Sequence, residues 1–97
     1  MPDPVLGTTV RLSIVALLAP ADEVEFATVR DAVQLTDSNL SKQASALEAA
    51  GYVRIRKGYV GKRPRTWLSL TPTGRSALTA HVAALDAIVA AAGVRSQ

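Results

Sequence analysis

No cysteine occurs among the 97 residues, which excludes disulfides, thiolate metal sites and cysteine nucleophiles together and suits a reducing cytoplasm. The single histidine, His81, leaves no set of imidazoles for a zinc site. Aromatics make up only 4% of the chain, so Ala, Leu and Val must build most of the core, a balance that favours helices. The acids are scattered singly apart from Asp22, Glu23 and Glu25, and no His, Cys or Gly-rich phosphate loop stands beside them to complete an enzyme site. No catalytic residue, metal or other cofactor is expected. The apolar run "VRLSIVALLAPA" from Val10 imitates a secretory signal, but it follows Asp3, contains Arg11 and is too short to span a bilayer. A cytoplasmic protein with no membrane or targeting segment is the expectation.

What the chain does contain is 48% hydrophobic and 20% charged residues, the balance of a globular protein of one domain. At 97 residues it lies near the size where a partner subunit often supplies extra burial, so a dimer is to be considered from the start. The net charge is only +3, and its placement matters more than its sum. Six basic residues (Arg54, Arg56, Lys57, Lys62, Arg63 and Arg65) fall in one window without an acid, leaving five basic against eight acidic residues elsewhere. Such a localised positive potential is expected of a surface that docks an anionic polymer.

A first helix is predicted from about Thr8 to Ala19, capped by Thr8 or Thr9, ended by Pro20 and apolar nearly all round, so that it is covered on more than one side. "EVEF", Glu23 to Phe26, alternates as a short strand, and Phe26, Val29, Ala32 and Val33 return to helical spacing. Leu35 to Asp37 breaks the pattern. Thr36 or Asp37 can then cap a third helix that runs to Ala50 and stops at Gly51. At about 100° per residue, Leu40, Ala44 and Leu47 share one face of it, while Ser38, Lys42, Ser45 and Ala49 lie opposite, flanked by Asn39 and Ala46. "YVRIRK" and "TWLSL" alternate as half-buried strands around a Gly-bounded loop, "GYVGKRPR", giving a hairpin with a basic tip. Thr71 and Pro72 open a last helix in which Leu78, Val82, Leu85 and Val89, with Ile88 beside them, form one apolar seam to near Ala92.

The fold class is therefore mainly α with a small β-hairpin: a helix-turn-helix followed by a basic hairpin, in the order α-β-α-α-β-β-α. One domain spans residues 1–97, with the helix-turn-helix over about 26–51, the hairpin over about 52–70 and, over about 72–92, a last helix whose seam closes either onto the domain itself or onto a second copy. A second helix that enters the major groove needs short donors and acceptors near its N-terminus, with phosphate contacts around it to hold register. Ser38, Asn39, Ser41, Lys42, Gln43 and Ser45 supply the first set, and Lys62, Arg63, Arg65 and Tyr59 the second. Lys42 is expected to touch a phosphate or a guanine edge. Arg54 and Arg56 rank lower, since strand arginines often lie along neighbours or pair with acids, and Trp67 is expected to pack under their stems or beneath a helix. His81 reads as a plain surface or interface histidine.

The segments "LTDSNLSKQASALEAAGYV" and "GKRPRTWLSLTPTGR" carry a closer likeness: the chain resembles the winged helix-turn-helix transcriptional regulators of the broad MarR/ArsR type, in their short, stand-alone form. The resemblance implies a homodimer that binds double-stranded DNA at a near-palindromic operator, most simply as a repressor. The third helix would lie in the major groove and the wing along the backbone or minor groove. Leu78, Val82, Leu85, Ile88 and Val89, together with the first helix, are then the expected dimer interface. The longer terminal helices of MarR proteins and the metal ligands of ArsR sensors have no counterpart here, so no small-molecule effector is assigned. The competing expectation is a winged-helix module that docks a protein through its last helix, with the basic wing incidental.

Overall fold

The computed structural model describes residues 3–93. Its elements are α1 (Thr9–Leu18), β1 (Val24–Glu25), α2 (Phe26–Ala32), α3 (Asp37–Ala49), β2 (Val53–Val60), β3 (Arg63–Leu70) and α4 (Pro72–Ala92). Three of the helices begin at threonine caps whose hydroxyls accept free first-turn amides: Thr8 from Arg11, Thr36 from Asn39 and Thr71 from Gly74. The order of elements is the one the sequence predicts. Antiparallel pairing gives a three-stranded sheet in the order β1-β3-β2.

The hairpin departs from expectation. Residues read as a loop continue the ladder, with Lys57 opposite Thr66, Gly58 opposite Arg65, Tyr59 opposite Pro64 and Val60 opposite Arg63, so only Gly61 and Lys62 turn. Gly61 sits at φ +62°, a backbone conformation that glycine adopts without penalty. Glycine and proline suggested a loop, but each has a local reason to occupy a strand. The Trp67 ring lies 3.2 Å from where a Cβ on Gly58 would stand, replacing the packing that a side chain would supply. Pro64 is tolerated because β1 pairs with β3 only at Trp67 and Leu68, so the far edge of β3 has no partner strand there. β1 is correspondingly shorter than the predicted strand, because Phe26 already belongs to α2.

The core joins Ile14, Val15 and Leu18 of α1 and Val29 of α2 to Leu40, Ala44 and Leu47 of α3, closed by Val53 and Leu68 of the sheet. The buried face of α3 is the one its periodicity predicts, and each leucine so buried contributes about 2 kcal/mol of transfer free energy. Leu6 is also fully buried, which no periodic pattern announced.

Leu6 is held by a network around Asp3. The Asp3 amide donates to His81 Nδ1 at 2.9 Å, its carboxylate accepts from the Val5 and Leu6 amides, and the Tyr52 hydroxyl donates to its second oxygen. His81 is therefore buried, at 3% exposure, and not the surface or interface histidine expected: the N-terminal segment folds over it. Desolvation pushes the Asp3 carboxyl up, but the Tyr52 hydroxyl, the two amides and nearby His81 outweigh it and hold the group below its usual range. A carboxyl depressed in the folded state contributes stability that is present above its unfolded pKa and is lost as pH falls through the folded value. Asp3→Asn is accordingly expected to cost about 1–2 kcal/mol at pH 7. That difference should fade below about pH 4 when urea denaturation is followed as a function of pH; a gap that stayed constant with pH would show that the charge contributes nothing.

The first turns of α4 pack on the core through Ala77 and Leu78 and under the N-terminal segment at His81, and the helix then extends away from the core to Gly93 in a left-handed cap at φ +71°. The molecule is correspondingly long, 54 Å against 24 and 22 Å. By length and composition alone α4 is long and apolar enough to cross a membrane. Its first turn nevertheless docks against Tyr52, and Arg75 and Asp86 stand on it, which suits a helix packed on one side.

Candidate nucleic-acid interface

The turn into α3 is built from local interactions. Gln34 adopts φ +57° and the Leu35 amide reaches back to the Arg30 carbonyl at 3.0 Å, which closes α2 and redirects the chain. Arg30 then bridges the two helices, pairing with Asp31 at 2.9 Å and with Asp37 at 2.8 Å. These hydrogen bonds, Asp31's first, raise the guanidinium pKa above its ordinary value. Both acids are well exposed, so the bridge sets orientation more than stability.

On α3, Ser38, Asn39, Ser41, Lys42 and Ser45 are exposed and form the expected small polar face. Gln43 differs from that expectation. It is half-buried, its Oε1 accepts from Arg11 Nε of α1 at 2.9 Å, and its Nε2 donates to Asn39 Oδ1 at 3.2 Å. Of the six proposed reading residues it alone is engaged across to another helix.

The wing cations also divide. Lys62, Arg63 and Tyr59 stand exposed at the hairpin tip, and among the described residues no carboxylate pairs with either cation. Arg65 is half-buried, with its Nε 3.2 Å from Glu25 Oε1. Arg56 makes a two-pronged bond to Glu23 at 2.7 and 2.8 Å and lies 4.0 Å over the Trp67 ring, so both structural readings of strand arginines and Trp67 meet in one cluster. That hydrogen bonding lowers the Glu23 carboxyl pKa and raises that of the Arg56 guanidinium. The basic window contains no acid in sequence. In space, β1 and the residue before it bring two alongside.

Lys57 is a contributor the sequence reading did not single out. It lines a groove of about 280 Å³ between α3 and the sheet, with Ala44, Ile55 and Leu68 beneath and Ser41, Ser45 and Thr66 around it. The signal was available in the alternation of β2, which puts Lys57 on the same face as Ile55 and hence toward α3. On α4, Leu78 is spent on the domain's own core, whereas Val82 and Ile88 are exposed at 45% and 53% and Leu85 and Val89 are half-buried.

The fold and this surface agree with a family model described as a winged helix DNA-binding domain, which matches residues 10–89. The chain belongs to that family. An uncharacterised protein of Methanocaldococcus jannaschii is 31% identical over 78 residues, 80% of this chain and 85% of its own length. The solved transcriptional regulator homologue of Pyrococcus horikoshii OT3 superposes with a TM-score of 0.83 at 30% identity, covering 90% of this chain and 86% of that one. The M. tuberculosis transcriptional regulator MOSR, solved with DNA, has a TM-score of 0.73 at 18% identity, over 96% of this chain and 66% of its own, a likeness of fold alone. In this winged helix, α2 and α3 form the helix-turn-helix and β2 with β3 the wing. Its family is one of DNA-binding domains, not enzymes, and the P. horikoshii relative is a transcriptional regulator homologue.

Proposed function

We propose that this single winged-helix domain binds double-stranded DNA sequence-specifically as a cytoplasmic, homodimeric transcription regulator, most simply a repressor that blocks polymerase access. The observation that carries the reading is the exposed face of Ser38, Asn39, Ser41, Lys42 and Ser45 beside the wing cations Lys62 and Arg63, which among the described residues pair with no carboxylate. Small donors and acceptors suit base edges in a major groove, and Lys62 and Arg63, with Tyr59 and the partly neutralised Arg65, suit the flanking phosphates. The DNA in the MOSR complex supports the same use of the fold. Val82, Leu85, Ile88 and Val89 of α4 would meet a second copy, placing two copies of α3 about 34 Å apart on a near-palindromic operator.

Fluorescence anisotropy against duplexes from upstream of the gene and unrelated duplexes, over a range of salt, tests this. Arg63→Ala is expected to weaken binding to every duplex and to flatten the log–log salt slope by about 0.9 for each phosphate that a protomer no longer neutralises. Asn39→Ala should instead erode only the preference for the cognate duplex, at a cost of about 1–3 kcal/mol. Equal losses on all sequences for both variants would remove α3 as the reader. Binding insensitive to salt and sequence would leave the protein-docking module as the better account.

A further inference from the structure

Arg11 lies on α1 and carries no part of the polar face of α3, yet it fixes the orientation of a side chain on that face. An arginine has only N–H donors, so the atom of Gln43 that meets Arg11 Nε at 2.9 Å must be the amide oxygen. The amide nitrogen of Gln43 is thereby turned the other way, and there it meets Asn39 at 3.2 Å. That nitrogen can only donate, so the Asn39 atom facing it must be Oδ1. Two amides that are ordinarily free to turn over are thus set in sequence by one cation, and among the described residues Asn39 Nδ2 has no partner and is left for whatever the exposed side chain meets.

We infer that Arg11 is a positioning residue for base preference, working through Gln43 so that Asn39 offers a hydrogen-bond donor to the DNA. The inference rests on the DNA-reading role proposed for α3 and names what that helix selects. In the major groove, guanine presents N7 and O6 acceptors and thymine an O4 acceptor, whereas cytosine presents a donor and adenine an acceptor beside a donor. A free asparagine amide matches adenine with its oxygen and nitrogen together. Here Oδ1 is turned toward Gln43 and Nδ2 outward, so Asn39 presents a donor. Guanine N7 and O6 or thymine O4 accept it with no opposing donor, whereas adenine accepts it only at N7 and leaves its N6 amino group unmet, which favours guanine or thymine at the base pair that Asn39 meets.

The test is selection from a duplex library with a randomised central segment, carried out with the wild-type chain and with Asn39→Ala, Arg11→Met, Arg11→Lys and Gln43→Glu. Competition titrations then compare duplexes that differ at the position where Asn39→Ala loses its preference. The wild type is expected to favour guanine or thymine over adenine there by about tenfold. Arg11→Met should reduce this to within about twofold while other positions keep their preferences, and Arg11→Lys, still a donor facing Gln43 Oε1, should retain it. Gln43→Glu accepts from Arg11 but cannot donate, so Asn39 should turn over and favour adenine or cytosine, despite a general loss of affinity from the added charge.

An unchanged preference in Arg11→Met, an equal loss at every position, or a guanine or thymine preference that survives Gln43→Glu would each overturn the relay. Melting curves show whether Arg11→Met is simply unfolded, and in that case the Gln43→Glu result decides. A library left unenriched by the wild type would overturn the DNA reading itself, a distinguishable failure.

Discussion

Gly74→Ala is expected to destabilise the fold by about 3 kcal/mol or more, a large share of the total stability of a domain of this size. An alanine Cβ would stand 2.1 Å from the carbonyl oxygen of Tyr52, 2.9 Å from its carbon and 2.7 Å from Leu70 Cδ1. The leucine methyl can turn aside. The carbonyl has no such freedom, because it accepts the Thr71 amide at 3.0 Å, while the Tyr52 amide is tied to Leu47 of α3 and the Thr71 hydroxyl donates to the Gly51 carbonyl at 2.6 Å. The end of α3, the start of β2 and the first turn of α4 thus meet at one junction with no room for a methyl group. Thermal unfolding checks this, with an expected fall on the order of 15 °C for a domain of this length. Gly51→Ala is the useful contrast. Its added Cβ would meet nothing within 4 Å, and only the φ of +81° costs anything, about 1–2 kcal/mol. If the two variants melted alike, steric exclusion at Gly74 would be the wrong account.

The same junction explains which parts of the molecule the sequence could announce. Whatever depends on local spacing was legible: the threonine caps, the buried Leu40–Ala44–Leu47 face of α3 and the alternation of Val53 and Ile55 all follow from neighbours within a turn or a strand. Tertiary neighbours overruled composition in the wing, where Trp67 covers Gly58 and an unpartnered edge admits Pro64. Contacts between distant residues were not legible at all. The Asp3 amide reaches His81 across 78 positions and thereby buries a histidine that helical geometry alone left at the surface.

The candidate site divides in the same way. A helical projection separated the exposed serines, Asn39 and Lys42 from the core, but it could not show that α1 would supply Arg11 to Gln43. Nor could a count of charge along the chain show that Glu23 and Glu25 would lie beside Arg56 and Arg65, since that follows from the sheet order β1-β3-β2. The positive surface proposed to meet DNA is therefore narrower than the basic window, because Arg56 and Arg65 are paired, and it keeps Lys62 and Arg63 at the tip with Lys57 in the groove.

The double variant Val82→Asp, Ile88→Asp is expected to leave the domain folded, convert the proposed dimer to a monomer and weaken binding to a palindromic duplex by about 10²- to 10⁴-fold. Both side chains lie beyond the part of α4 that packs on the core and are exposed at 45% and 53%, so the monomer loses little by their replacement. The seam of Val82, Leu85, Ile88 and Val89 on the outer half of α4 finds no packing against the domain's own core among the described residues. A second copy of the seam would supply that packing, and aspartates introduced there would face one another in an apolar contact, where burying unpaired charge is costly. The effect on DNA comes from linkage of two readers, not from any contact made by α4. Binding to an isolated half-site should therefore be unchanged while binding to the full site collapses. Light scattering at micromolar concentration and anisotropy on full and half sites read both outcomes. A wild-type chain already monomeric under those conditions, or a variant that still dimerises, would assign the exposed face of α4 to a different partner and leave each α3 to read DNA alone.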